Sequence, residues 1–164
     1  MMFPKALLML LIVYKTYATE DVALHQIHTD NEFILCRTCG NLITISKYVT
    51  DKRSPVSRFI FNDTIFNRKE VVVQELLGDL FLHFPVVTFL DSTCTGVGEW
   101  EESSWFPGYI SRPCMCAECG TYLGWVFQPE QPKKNSELFF GFILSSLIGE
   151  TFVDSLVIYP TNKN

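Results

Sequence analysis

The chain has 164 residues, of which 48% are hydrophobic, 14% aromatic and only 19% charged. This composition excludes an intrinsically disordered protein, and the length suits one domain with a packed core. The formal net charge of −5 disfavours nucleic acid as a partner, because an acidic chain has no excess of basic side chains to neutralise phosphates and release their counterions. Six cysteines are too many for an ordinary cytosolic enzyme, so their spacing is the most informative feature of the sequence.

The first eighteen residues predict a secretory signal peptide. A short segment with Lys5 precedes an unbroken apolar run over residues 6–14, and small residues follow at Thr16 and Ala18. The run is too short to cross a bilayer, which takes about 20 apolar residues, so we expect no membrane span. We predict cleavage after Ala18, a lead-in segment over residues 19–31, and secretion of the mature protein.

Short runs of β-branched and aromatic residues follow, separated by turn residues. Strands are predicted at residues 33–35, 42–48, 58–61, 71–73, 84–90, 109–110, 122–127, 138–144 and 151–159. No long segment has the 3.6-residue period of an amphipathic helix, which favours an all-β fold with mostly antiparallel neighbours.

One acceptor sequence for N-glycosylation lies among these runs. Asn62 begins the tripeptide N-D-T, in a polar stretch that we interpret as an exposed turn. In a secreted chain, Asn62 is therefore a candidate for a glycan.

Two copies of the pattern C-x-x-C-G carry the clearest chemistry. Cys36 and Cys39 form the first pair, and Cys116 and Cys119 form the second. This spacing lets two thiolates converge on one ion across a tight turn, and two turns supply four sulfurs. A closed set of four thiolates is typical of structural Zn²⁺ and has no open position for catalysis. We therefore predict one structural zinc ion.

The cysteines have alternative fates in an oxidising compartment. All six could form three disulfides, or one C-x-x-C pair could be a redox site, although a redox motif needs only one pair. Cys114 could also compete as a metal ligand, because it lies two residues before Cys116. The matching repeat favours the two C-x-x-C pairs as ligands, and we then expect Cys94 and Cys114 to form a disulfide.

Tryptophans lie on both sides of the second cysteine pair. Trp100 and Trp105 precede the pair and Trp125 follows it. Tryptophans from separate strands could form a cage for a flat or cationic ligand, or they could only pack the core around the metal. Acidic residues at positions 99, 101 and 102 flank Trp100. They fit a solvated loop, with an acidic rim for a cationic ligand as the alternative.

The segment S-W-F-P-G-Y at 104–109, the following C-x-x-C and L-G-W-x-F at 123–127 resemble the thalidomide-binding (CULT) domain of the cereblon family. Cys36-x-x-Cys39 lies where that family has its first zinc pair, and F-F-G at 139–141 resembles the start of its closing strand. The resemblance implies two antiparallel sheets, set at an angle and joined by a four-cysteine zinc. We assign this domain to residues 32–149 and a C-terminal tail, with one extra strand, to residues 150–164.

The resemblance also implies an aromatic cage that accepts cyclic imides and pyrimidine-like compounds. Trp105 would be its first wall and Trp125 its last, with Phe127 beside it. The Ser103 carbonyl would accept from a ligand imide N–H, and the Trp105 N–H would donate to a ligand carbonyl. Ser111 replaces the family's second cage tryptophan, and Ser103 replaces a histidine. Loss of one stacking wall, on the order of 1 kcal/mol, predicts roughly tenfold weaker binding or a different ligand.

The leading functional interpretation is a secreted, non-catalytic module that binds a small molecule or a modified residue. Trp100 is the candidate to replace the missing wall, and we expect no ubiquitin-ligase adaptor region. One alternative is a structural or protein-interaction domain without a small ligand. Another is an oxidoreductase similar to methionine sulfoxide reductase B, which shares the zinc knuckles but needs a reactive cysteine. Only Cys94 and Cys114 lie outside the knuckles, and the histidines are distant from both in sequence: His25, His28 and His83.

Overall fold

Antiparallel strands make up most of the computed structural model, which describes residues 31–78, 81–131 and 137–156. The predicted signal peptide and nearly all of the lead-in segment lie outside these residues. The strands are β1 (Phe33–Cys36), β2 (Leu42–Ile45), β3 (Val49–Thr50), β4 (Phe59–Ile65), β5 (Arg68–Leu77), β6 (His83–Phe89), β7 (Thr95–Gly96), β8 (Glu101–Glu102), β9 (Tyr109–Met115), β10 (Tyr122–Pro129), β11 (Phe139–Ile143) and β12 (Leu147–Gly149). Short 3₁₀ turns lie at Ser46–Tyr48 and Leu144–Ser146, and the helix α1 spans Glu150–Ser155.

The described strands form two antiparallel sheets. The smaller sheet has the order β12-β1-β2, and the larger has the order β4-β5-β6-β11-β10-β9-β7. In the larger sheet, β3 also pairs with β6, and β8 also pairs with β9. This arrangement confirms the prediction of an all-β fold with antiparallel neighbours.

The larger sheet buries apolar side chains on both faces. Its central strands have apolar residues at successive positions, and successive side chains point to opposite faces of the sheet. One face shares a core with the smaller sheet, formed by Ile34, Ile43, Val73, Phe89 and Phe142 among others. The opposite face carries a second cluster, in which four side chains of the sheet pack against Trp105 and Phe106 of the loop between β8 and β9: Leu76, Val86, Phe127 and Phe139. The second cluster is the floor of the site described below.

Asn62 lies in β4 and not in a turn, which corrects the sequence prediction. The strand continues through the polar residues because they pair with β5, with Asn62 opposite Val72. The reversal comes later, at Phe66 and Asn67, where both residues have φ of 54°. A two-residue connection with two positive φ angles matches the twist of the flanking strands. The Asn62 side chain is exposed and donates to Glu70 Oε2 at 2.6 Å.

The tail begins with the helix α1, which corrects the prediction of a strand from residue 151 onward. The buried Glu32 side chain accepts a hydrogen bond from the Thr151 N–H at 3.0 Å, and this satisfies a free amide of the first helical turn. Glu150 adds a negative charge in the same turn, where the helix dipole favours it. Residues 157–159 of the predicted strand lie outside the described residues. Within the described part of the chain, no helix has the length and apolarity to cross a bilayer.

Candidate functional site

The four cysteines of the C-x-x-C-G repeats lie together at the junction of the two sheets. Cys36 and Cys39 flank the turn from β1 to β2, while Cys116 and Cys119 flank the turn from β9 to β10. Their Sγ atoms all lie within 4.8 Å of one another. Cys36 is 3.7 Å from Cys119, and Cys39 is 3.6 Å from Cys116. A tetrahedral ion with metal–sulfur bonds of about 2.3 Å needs sulfurs about 3.8 Å apart, so the set fits one ion.

Both cysteine turns have the same backbone structure. In the first, the Cys36 N–H donates to Asn41 O and the Gly40 N–H donates to Cys36 O, both at 2.8 Å. The second turn repeats these bonds to within 0.1 Å. The glycine of each turn has a φ of 70–75°, a conformation that residues with a Cβ rarely adopt. The fifth position of each repeat is therefore glycine for a conformational reason.

Hydrogen bonds in the second turn favour the thiolate form that binds metals. The Thr121 hydroxyl lies 3.1 Å from Cys119 Sγ, and this hydroxyl and the Thr121 amide lower the pKa of Cys119 to about 6. Burial raises the pKa of Cys116, but the Cys119 and Glu118 amides outweigh burial and lower it. The Asn41 side chain also donates to Cys116 Sγ, at 3.8 Å.

Cys94 and Cys114 form a disulfide, as predicted. Their Cα atoms are 5.8 Å apart, and the bond joins the start of β7 to its partner strand β9. Cys114 is therefore not a metal ligand. All six cysteines lie in described residues, and they divide into four that form the cluster and two that are cross-linked.

Four of the five predicted ligand-binding residues line one pocket of about 430 Å³. It lies on the face of the larger sheet that the loop between β8 and β9 covers, and Ser103, Trp105, Ser111 and Trp125 all line it. The Trp105 and Trp125 rings meet edge to face, with centroids 4.4 Å apart and planes at 79°. Because the two rings are in direct contact, no ligand fits between them, and together they form a corner of the pocket. A flat ligand would therefore stack on the indole surfaces that face the pocket.

Hydrogen bonds hold the Trp105 wall in place. Its indole N–H donates to Leu77 O at 2.7 Å, and its carbonyl accepts from the Ser54 hydroxyl at 2.6 Å. The Ser54 N–H in turn donates to the side chain of Gln74, which is fully buried in β5. The ring is therefore oriented before any ligand arrives.

The Ser103 side of the pocket is a tight loop. The Ser103 N–H donates to Tyr109 O at 2.9 Å, and Ser103 Oγ accepts from the Phe106 N–H at 3.1 Å. These loop bonds do not use the Ser103 carbonyl or the Trp105 N–H. The two main-chain groups that the resemblance assigns to a ligand therefore take no part in these two loop bonds.

Trp100 does not replace the missing wall. It packs against the core shared by the two sheets, and the Arg112 guanidinium lies over its ring at 4.5 Å. Two other aromatic residues line the pocket, Phe84 from β6 and Tyr122 from β10. Their rings lie 5.5 Å and 5.2 Å from Trp125, both edge to face. The sequence offered no motif for Phe84, although Tyr122 immediately precedes the L-G-W segment.

Phe127 does not line the pocket, although it lies on the same face of β10 as Trp125 and belongs to the core cluster against which Trp125 packs. Its side chain is only 1% exposed and stacks on Phe139, with ring centroids 4.8 Å apart. Phe106 covers it from the loop side, edge to face at 4.8 Å. Phe127 therefore supports the floor beneath the pocket.

The conformation and close packing at position 124 require glycine immediately before Trp125. Its φ is +147°, and a Cβ at this position would lie 2.1 Å from Gly141 O and 2.9 Å from the Phe142 Cα. Only glycine lets β10 approach β11 this closely. The close approach sets the position of Trp125 against the rest of the sheet.

Comparisons with known proteins find partial similarity to cereblon. No protein-family model matches the chain. A stretch of 46 residues is 44% identical to cereblon from Drosophila willistoni, and a stretch of 51 residues is 41% identical to cereblon from Drosophila virilis. The stretches cover 28% and 30% of this chain but only 8% of each cereblon. Together with the four-cysteine cluster, these matches support a relationship to the zinc-binding CULT domain of cereblon.

Proposed function

We propose that this chain is a secreted, non-catalytic binding module whose aromatic pocket takes a small cyclic imide or a pyrimidine-like group. The observation that carries the proposal is the convergence of Ser103, Trp105, Ser111 and Trp125 on one pocket. Its volume of about 430 Å³ lies within the range of about 300–1,000 Å³ that is typical of small-molecule sites. A flat ring would stack on the indole surfaces, while the Ser103 carbonyl and the Trp105 N–H would satisfy an imide edge.

The metal in this proposal is one structural Zn²⁺ held by Cys36, Cys39, Cys116 and Cys119. Four thiolates favour zinc over hard cations, and a closed set of four leaves no position for substrate. When bound, the ion would hold the β1–β2 turn against the β9–β10 turn. Its role is therefore to join the two sheets and not to supply chemistry.

Two observations support secretion. The Cys94–Cys114 disulfide is of a kind that persists in oxidising compartments and is rare in the cytosol. Asn62 is exposed in β4, as the acceptor of a surface glycan in a secreted protein must be. Mass spectrometry of protein secreted from eukaryotic cells tests both parts: we expect a mature N-terminus at Thr19 and a glycan on Asn62. Retention inside the cell with an intact N-terminus would contradict the proposal.

The oxidoreductase alternative lacks support in the cysteine geometry. A sulfoxide reductase needs a reactive thiol, whereas every cysteine of this chain is either in the cluster or in the disulfide.

The protein-interaction alternative has one specific observation in its favour. The strand β4 at the end of the larger sheet exposes Phe59, Ile60 and Phe61, and an edge strand with exposed apolar residues is suited to pairing with another chain.

Tryptophan fluorescence tests the pocket directly. Zinc-loaded protein is titrated with uracil, glutarimide and thalidomide, and we expect saturable quenching by at least one of them. Trp125→Ala should abolish the response while retaining zinc, because Trp125 lines the pocket and is not part of the four-cysteine cluster. Trp100→Phe is the matched control and should leave the affinity unchanged, since Trp100 lies outside the pocket. No response to any of the three compounds, with zinc present, would favour the interaction domain.

A further inference from the structure

We propose that the pocket selects ligands that carry a diffuse positive charge, such as a methylated ammonium group, and that Glu101 determines this selectivity. The proposal rests on the proposed function, because it concerns the same pocket. It adds a charge preference that the imide and pyrimidine classes do not specify.

The lining of the pocket combines aromatic rings with carboxylates. Four rings face it, from Phe84, Trp105, Tyr122 and Trp125, and Glu101 and Glu102 lie on its rim. None of the described residues that line it carries a basic side chain. Aromatic faces attract cations through their quadrupole, and a tryptophan face does so best. A nearby carboxylate also attracts a cation, through direct Coulomb attraction.

Strand register places Glu101 beside the missing wall. In the β8–β9 ladder Glu101 lies directly opposite Ser111, and in the β9–β10 ladder Ser111 lies opposite Phe127. Residues directly opposite one another in antiparallel strands project from the same face of the sheet. Glu101 and Ser111 are therefore neighbours on the pocket face. A tryptophan at 111 would cover the neighbouring carboxylate, whereas serine leaves it open to the pocket.

Among the described residues, no basic side chain forms an ion pair with Glu101. The nearest basic residue in the ladder, Arg112, follows Ser111 in β9 and lies over the Trp100 ring outside the pocket lining. The ion pair found among the described residues joins His83 and Glu75, not Glu101. Because the carboxylate is exposed, its attraction is moderated by solvent, and we expect a preference of several-fold and not of several orders of magnitude.

Two compounds of the same shape test the charge preference. Choline and 3,3-dimethylbutan-1-ol differ only in the exchange of a quaternary nitrogen for a carbon, and each is titrated calorimetrically into zinc-loaded protein. We expect choline to bind about tenfold more tightly than the alcohol. Glu101→Gln should reduce that ratio by about threefold.

Glu99→Gln is the matched control, because it removes the same charge from an exposed residue of the same segment that does not line the pocket. It should leave the ratio unchanged. Equal affinities for choline and the alcohol, or an equal loss in the two variants, would overturn the proposal. If glutarimide binds but the two compounds are not distinguished, only the charge preference fails. If choline is preferred but glutarimide and uracil do not bind, the proposed imide or pyrimidine ligand fails and the charge preference stands. If none of them binds, both fail.

Discussion

The cysteine cluster and the aromatic pocket both assemble residues that are far apart in the sequence, but they depend on different kinds of information. The cluster comes from two short turns with the same hydrogen bonds, so a repeated local motif fixes the position of each sulfur. The walls of the pocket come from β6, β9, β10 and the loop after β8, its rim includes β8, and each wall depends on one side chain. The geometry of the cysteine cluster is therefore fixed by backbone conformation, whereas the lining of the pocket is set by side chains that can change one at a time.

The largest predicted effect is loss of the metal. Removing zinc with a chelator, or substituting Cys116→Ser, should lower the free energy of unfolding by more than about 5 kcal/mol, because the proposed ion would join the two sheets. Thermal unfolding measured with a zinc assay on the same samples checks this. A melting temperature that is independent of zinc content would show that the hydrophobic core alone holds the sheets together.

The disulfide should contribute less than the metal. Replacing Cys94 and Cys114 together by alanine opens a cross-link with a sequence separation of 20 residues, and we expect a loss of about 3 kcal/mol in the free energy of unfolding. Urea unfolding measures the loss. Zinc content should stay at one ion per chain in this variant, and a fall in zinc content would contradict the division of the cysteines into four and two.

Restoring the third wall should have a smaller effect, confined to the pocket. Ser111→Trp adds a stacking surface opposite Phe127 in the ladder, and we expect glutarimide to bind up to about tenfold more tightly. Ser111→Ala is the control and should leave the affinity unchanged. Calorimetric titration of the two variants provides the measurement. Weaker binding by the tryptophan variant would mean that this position is occupied by the ligand and is not a wall.

The sequence predicted the features that local motifs encode. The C-x-x-C-G repeats indicated the four clustered sulfurs, and the alternating apolar runs indicated most strands. Trp105 and Trp125 were recognisable from the segments around them. These predictions depend on residues within a few positions of one another.

The features that the sequence did not predict depend on long-range pairing. Phe84 faces the pocket only because β6 pairs with β11 and β11 with β10, which places its ring against Trp125. The helix α1 likewise depends on Glu32, whose carboxylate bonds to an amide 119 residues away. The apolar residues of the tail alone were compatible with a strand.

The indole N–H signals of the three tryptophans in a ¹H–¹⁵N correlation spectrum test the central claim most directly. Trp105 and Trp125 line the pocket, whereas the partly buried Trp100 packs against the core beneath Arg112 and serves as an internal control. Saturating glutarimide or uracil should shift the signals of Trp105 and Trp125 and leave that of Trp100 in place. Unchanged signals from both pocket tryptophans, or a shift of Trp100 alone, would contradict a ligand site in this pocket.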